Sequence, residues 1–257
     1  MLGATGHVGH LLRAAPVPAL TQTAIWHSRT GLGANWGWDI LNEDPSDVAF
    51  DAVLHLARGG SVAHEVEIAE RVCDLAAGRP VLYASSQAVY TPNDEPLSED
   101  ALVEPTTTYG EAKAAAEQVV SSYSMGLSLR IGNVAGADML FKAMAMGPVV
   151  LDRFADGVGP RRSYIGPSTL ARTVVALAAS FGGPRQMSAV NCASPASIQM
   201  EDCLDAADAA WEWRPAPDGA LAVLELDTSR LQSLLPLPAV SAKHLVNEAC
   251  ASGWRRF

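Results

Sequence analysis

Cysteine is scarce. Four residues in 257, at Cys73, Cys192, Cys203 and Cys250, make no CxxC pair and no metal-ligand spacing. Zinc ribbons and disulfide-stapled scaffolds are thereby excluded, no metal site is expected, and the thiols read as reduced and buried in a cytoplasmic protein. The N-terminus lacks the basic segment and apolar run of a secretory leader. No uncharged apolar run reaches the ~18 residues of a membrane span, because Asp138 and Lys142 interrupt the best stretch, from Ile131 to Leu151. Basic residues are also few: 18 Lys and Arg against 28 Asp and Glu leave a net charge of −10. Such a surface repels phosphate backbones, so nucleic acid is not expected as a partner. A small phosphate-bearing ligand, which needs only local positive potential, stays open.

What is present points to a real core. With 49% hydrophobic and 18% charged residues the chain is too apolar for disorder, and a chain this heavy buries roughly 72% of its unfolded surface. Short apolar runs at Thr23–Trp26, Ala52–Ala57, Val81–Ala84 and Leu127–Ile131 alternate with helix-like stretches at Val62–Ala77 and Tyr109–Ser122. That alternation predicts an α/β fold, a doubly wound parallel sheet covered by helices. Trp38–Leu41 reads as the end of a further short strand. After Gly136 the pattern weakens, with helices expected at Thr169–Ser180 and Met200–Ala210. Between Arg214 and Val240 four prolines predict loop, a short strand at Ala222–Leu226 and a helical turn. The expected division is a dinucleotide-binding core of residues 1–136 and 167–193, with a small substrate-covering region of 137–166 and 194–257.

The chain opens on Gly3-Ala-Thr-Gly6-His7-Val8-Gly9 and runs into a short helix. Absent side chains at Gly3 and Gly6 let the backbone approach a pyrophosphate, and Gly9 lets the helix pack closely on the sheet. The helix N-terminus then offers unpaired N–H groups to phosphate. An ordinary strand–turn–helix loop is the alternative. Only Met1 and Leu2 precede the first glycine, whereas a central strand usually runs ~5 residues; either the start codon is assigned too far downstream, which is the favoured expectation, or the first strand is stunted. The run after the second strand, Trp26-His27-Ser28-Arg29-Thr30, holds no acid to accept ribose hydroxyls. Arg29 favours a 2′-phosphate instead, so NADP(H) is expected over NAD(H). Asp39 reads as a contact to adenine or as a turn cap.

Tyr109 and Lys113 stand at i and i+4, hence on one helix face, and Thr108-x-x-Glu111 has the form of a capping box. A free phenol titrates near 10 and is a poor base at neutrality; a nearby ammonium and a nicotinamide cation both favour the phenolate. Ser86 follows the strand Val81–Ala84 at the carboxyl end of the sheet, where open α/β sheets bind ligands.

In this combination the chain resembles the extended short-chain dehydrogenase/reductases, specifically the NAD(P)-dependent epimerase/dehydratase family. The resemblance rests on Gly3–Gly9, Asp39-Ile40, His55–Ala57, Ser85–Tyr90, Tyr109–Lys113 and Leu129–Val134, and more weakly on Asp156–Ile165. It implies an NAD(P)-dependent oxidoreductase or epimerase that moves a hydride to or from a secondary alcohol or ketone, sugars and nucleotide sugars included. By that resemblance Tyr109 is the acid/base, Lys113 lowers its pKa and holds the nicotinamide ribose, and Ser86 orients the substrate. Gly3, Gly6, His7, Val8 and Gly9 hold the pyrophosphate; Asp39 and Ile40 meet the adenine; Leu56 and Ala57 line the adenosine side. Asn133 and Arg162 fall where relatives touch substrate. Gln87-Ala88 replace the Asp-Glu pair of the dehydratases, which disfavours dehydration. A small-molecule substrate and a homodimer through the two long helices are the implied partners. The competing expectation is a non-catalytic dinucleotide-binding sensor of the same fold.

Overall fold

The computed structural model describes all residues except 34, 44–47, 94, 182–186 and 256–257. Helices α1 (His7–Ala14) and α2 (Pro18–Thr23) come first, then strands β1 (His27–Ser28), β2 (Trp36–Gly37) and β3 (Val53–His55). Helix α3 (Val62–Ala76) leads to β4 (Val81–Ser86), and α4 (Thr108–Ser122) to β5 (Gly126–Ile131). After β6 (Asn133–Val134) come α5 (Met139–Met146), β7 (Val149–Arg153), β8 (Arg161–Arg162) and β9 (Tyr164–Ile165). Helix α6 (Pro167–Ala179) returns the chain to the sheet at β10 (Ala189–Cys192). The C-terminal part holds β11 (Ile198–Gln199), α7 (Met200–Ala206), β12 (Trp211–Pro215), β13 (Val223–Leu224), α8 (Ser229–Leu234) and α9 (Ala242–Ala251).

One parallel sheet organises these elements, in the order β2-β1-Leu2-β3-β4-β5-β10. The opening strand is short yet fully engaged. Leu2 donates to the Leu54 carbonyl and accepts from Leu56 N–H on one side, both at 2.9 Å. On the other side His27 N–H donates to Met1 and Ala4 N–H to His27, at 2.9 and 3.0 Å. The central position of a doubly wound sheet is therefore filled by a stub. Helices α1, α2 and α6 cover one face; α3 and α4, packed on each other, cover the second. The first face carries a cluster from Leu11 and Leu12 through Leu127 and Leu129 to Leu170 and Leu177, and it continues into Phe141, Leu204 and Leu245 of the C-terminal part.

Four local expectations are corrected. Thr23 does not begin a strand: Pro18 occupies the first turn of α2, its fixed φ suits that position, and the helix runs to Thr23. The strand follows at His27–Ser28, pairing with Trp36–Gly37 rather than with Trp38–Leu41, because Asp39 and its neighbours fold into a turn. The helix cap before Tyr109 is Thr107, which accepts from Gly110 N–H at 3.1 Å, so the box shifts by one residue and Glu111 has no part in it. Helix α7 also stops at Ala206, four residues before the expected end. Helix α5, unforeseen, is capped by Asp138, whose carboxylate accepts from Phe141 N–H at 3.0 Å.

Candidate active site

Strand β4 delivers Ser86 to the carboxyl edge of the sheet, and a single 3₁₀ turn at Gln87–Val89 follows, with the Ser86 hydroxyl accepting from Ala88 N–H at 3.2 Å. Helix α4 lands directly on this turn. A Cβ at Gly110 would come within 2.1 Å of the Ala88 carbonyl oxygen, so only glycine permits the approach. The consequence is local: Tyr109, one residue earlier, is brought near Ser86, whose side chain favours the phenolate. Burial pushes the phenol's pKa above 10; the Ser86 side chain and the Arg58 charge oppose that rise, and the Glu65 charge adds to it. Tyr109 is 39% exposed and lines a cavity of about 730 Å³.

Lys113 lies one turn further along α4 and points inward. Its ammonium donates to Glu65 Oε1 at 2.7 Å, with both side chains 3% exposed. The Glu65 carboxylate also accepts from the Tyr83 hydroxyl at 3.0 Å and from Gly59 N–H at 2.5 Å. Burial works against the Glu65 anion, but the ammonium and these two donors outweigh it and hold its carboxyl below the usual carboxylate range. For Lys113 burial prevails over the favourable Glu65 charge and lowers the ammonium's pKa. Glu65, a partner the expected site lacks, is thus as deeply built in as the lysine.

Behind the pair sits His55, wholly buried on β3 with its ring 5.1 Å from that of Tyr83. Among the described residues neither of its ring nitrogens has a hydrogen-bond partner. Burial, reinforced by the Lys113 charge, lowers its pKa from 6.5 to about 3. The neutral ring is favoured by the fold, so below pH 6.5 the unfolded chain takes up a proton that the native protein refuses. Stability contributed by His55 is therefore intact above that pH and lost progressively as pH falls toward about 3. We expect His55→Leu to remove up to about 1.4 kcal/mol of acid sensitivity per pH unit in that window. It should also gain about 1 kcal/mol at neutral pH by deleting two unpartnered nitrogens. Urea melts from pH 4 to 8 check this; parallel curves for both proteins would contradict it.

Across the cavity, Asn133 is held at both ends of its amide. It accepts from Gln87 Nε2 at 2.7 Å and donates to Asp138 at 3.1 Å, and Asp138 also accepts from the Tyr164 hydroxyl at 2.7 Å. Burial raises the Asp138 carboxyl to about 6 against these hydrogen bonds. The Arg162 guanidinium donates to the carbonyls of Arg161, Ala222 and Leu221 at 2.8, 3.0 and 2.6 Å. Arg214 is paired with Asp152 at 2.6 Å. The remaining wall is largely apolar, from Val8, Val134, Leu140, Val149, Leu151 and Met200.

The glycine loop turns where Gly3 adopts φ +90°, and a Cβ there would sit 2.6 Å from Ala57 N and 2.7 Å from the Leu56 carbonyl carbon. Leu56 and Ala57 thus lie against the loop, as expected of one site. At Gly9 a Cβ would come within 2.3 Å of the Gly3 carbonyl oxygen, whereas at Gly6 its nearest neighbour is 3.5 Å away, facing open space. Gly6 caps α1 with no side chain, leaving the first-turn N–H groups of His7, Val8 and Gly9 without a side-chain acceptor. The cradle fits a dinucleotide phosphate. Exposed Arg29 follows β1 beside this loop. Asp39 spends both carboxylate oxygens on Leu41 N–H (3.1 Å) and Asn42 Nδ2 (2.9 Å), and buried Ile40 packs with Trp38 and Leu2.

Residues 1–174 match the family described as NAD dependent epimerase/dehydratase family. The chain belongs to that family. It is accordingly an enzyme of the short-chain dehydrogenase/reductase type. Among solved structures it is similar to UDP-glucose 4-epimerase from Brucella ovis in complex with NAD, at 20% identity and TM-score 0.77 over 99% of this chain and 98% of that one. UDP-glucuronic acid 4-epimerase from Bacillus cereus, in complex with UDP-glucuronic acid and NAD, gives 19% identity and TM-score 0.69 over 98% and 97%. TunA, a NAD dependent NDP-hexosamine 5,6-dehydratase of tunicamycin biosynthesis, gives 19% and 0.72 over 98% and 95%. No curated protein matches the chain by sequence. The family supports a nicotinamide dinucleotide as cofactor. Among the described residues no helix is long and apolar enough to cross a membrane, and no cluster of metal-ligating side chains occurs.

Proposed function

We propose that this family member interconverts a secondary alcohol and a ketone, as a net oxidoreductase or as an epimerase, with Tyr109 as acid/base. The observation that carries the reading is the placing of Tyr109 on the cavity wall with Ser86 near enough to act on its phenol. A hydroxyl pair there can hold one substrate oxygen, Ser86 by hydrogen bond and Tyr109 by giving or taking its proton. Gly3, Gly6, His7, Val8 and Gly9 would hold the pyrophosphate, with Leu56 and Ala57 at the adenosine side and Asp39 and Ile40 toward the adenine. When bound, the nicotinamide supplies or accepts the hydride. Lys113 would fix the ribose end of the site from below Tyr109.

The lining supports residues 137–166 and 194–257 as the cover over the substrate, since Leu140, Val149, Arg162, Met200 and Arg214 all come from them. Asn133 and Arg162 would meet the substrate away from its reacting carbon. A short first strand would favour a non-catalytic sensor if it left the cofactor cleft damaged, but Met1, Leu2 and Ala4 hydrogen-bond to both neighbouring strands.

Arg29, exposed and outside ion-pair distance of any carboxylate among the described residues although its charge reaches Asp39, supports a preference for the 2′-phosphate of NADP(H). Fluorescence titration with NADPH and NADH tests both levels of the reading. We expect tighter NADPH binding, and an approximately tenfold weaker one in Arg29→Ala with NADH unaffected. Binding of neither dinucleotide by the folded protein would overturn the function; a preference for NADH would overturn only the part given to Arg29.

A further inference from the structure

We propose that the cavity beside Tyr109 takes an uncharged alcohol or ketone with an apolar body, and not a nucleotide diphosphate sugar. The proposal rests on Tyr109 as acid/base and names the substrate class of that same site.

A diphosphate in this cleft needs local positive potential, because the chain as a whole carries a net charge of −10. The lining offers none in sum. Its charged side chains are Asp138, Asp152, Arg162 and Arg214, two of each sign. Arg214 on β12 stands opposite Asp152 in the register with β7, and its Nε lies 2.6 Å from the Asp152 carboxylate. That charge is matched within the strand pair that carries it. Arg162 has no carboxylate within ion-pair distance among the described residues. Three of its five N–H groups nevertheless go to the carbonyls of Arg161, Ala222 and Leu221. These bonds tie β8 to the chain just before β13, and turning the guanidinium onto a phosphate would break them. Asp138 is fixed on the same wall by Asn133, Tyr164 and the Phe141 N–H, and its anion repels a phosphate.

The cavity also leaves apolar surface bare. Asp138 caps α5, and Met139, the first residue of that helix, lines the cavity while 77% exposed. Val150 on β7 lines it while 47% exposed. Leu140, Val149, Leu151 and Met200 belong to the same lining. Apolar side chains left uncovered in a concave site gain when an apolar ligand takes them out of water. Tyr109 supplies the proton-bearing oxygen that a carbonyl or hydroxyl requires. A molecule with one such oxygen and an apolar body answers both features, and a diphosphate answers neither. Contacts from Arg162 to such a substrate would come from its aliphatic stem or its two remaining N–H groups.

Saturation-transfer NMR on the dinucleotide-loaded protein tests this without turnover, with 2-octanone, acetophenone, UDP and UDP-glucose as probes. The bound dinucleotide keeps the nucleotide probes off the glycine loop. We expect both ketones to bind, and the uridine protons of both nucleotides to stay silent at millimolar concentration. Met139→Lys, a change at an exposed position that the fold tolerates, should weaken ketone binding roughly tenfold. A nucleotide bound more tightly than either ketone would overturn the proposal. So would ketones that fail to bind, or ketones that bind Met139→Lys as well as wild type. Ketones that bind the wild-type protein without being turned over would end the acid/base reading alone and leave the cavity's preference standing.

Discussion

Tyr109→Phe is expected to lower turnover by about a hundredfold to ten-thousandfold while dinucleotide affinity stays within a few-fold of wild type. Phenylalanine fills the same space at the start of α4, so the landing of that helix on the Gln87–Val89 turn is kept. What disappears is the proton-bearing oxygen near Ser86. The effect should fall on kcat rather than on substrate binding, because the hydroxyl acts where charge develops on the substrate oxygen. Steady-state rates with parallel fluorescence titration check it. Unchanged turnover would move the proton transfer to another residue.

Lys113→Met should be the most destabilising single change at the site. It leaves the Glu65 carboxylate, 3% exposed, without its counter-ion, and removing one partner of a buried pair costs about 3–5 kcal/mol. For a chain of this size that is a drop in Tm of roughly 10 °C. Adding Glu65→Gln should recover most of the loss, because a neutral amide has no charge to leave unpaired. Thermal melts of the two single variants and the double variant form the cycle. A double variant no more stable than Lys113→Met would show the pair to be uncoupled.

The parts of the site written in adjacent residues were legible in the sequence. The glycine loop, the serine at the end of β4 and the Tyr109/Lys113 pair each depend on spacing along one turn, strand or helix, and each lies in or within two residues of the element foreseen for it. Strand limits were less so: in Thr23–Trp26 the β-branched run was overridden by Pro18, a helix start signal five residues upstream. Helix α5 is only eight residues of nearly uniform apolar character behind the Asp138 cap, so its sequence shows no alternation of faces to mark a helix.

The sequence holds one sign of the role of Glu65. It shares the buried face of α3 with Ile68, Ala69, Val72 and Ala76, and an acid on an apolar helix face needs a buried partner. Which cation supplies that partner is a tertiary fact, set by how α3 and α4 pack on each other, and no local pattern contains it. Arg58 is likewise a loop residue whose relation to Tyr109 exists only once the sheet has brought the ends of β3 and β4 side by side.

A structure of the protein with its dinucleotide bound tests the central claim most directly. The account predicts the pyrophosphate on Gly6 and the first turn of α1, and the nicotinamide ring lying against the Tyr109 and Ser86 hydroxyls, with room beside it for a substrate oxygen. A dinucleotide seated elsewhere, or a nicotinamide turned away from Tyr109, would contradict it.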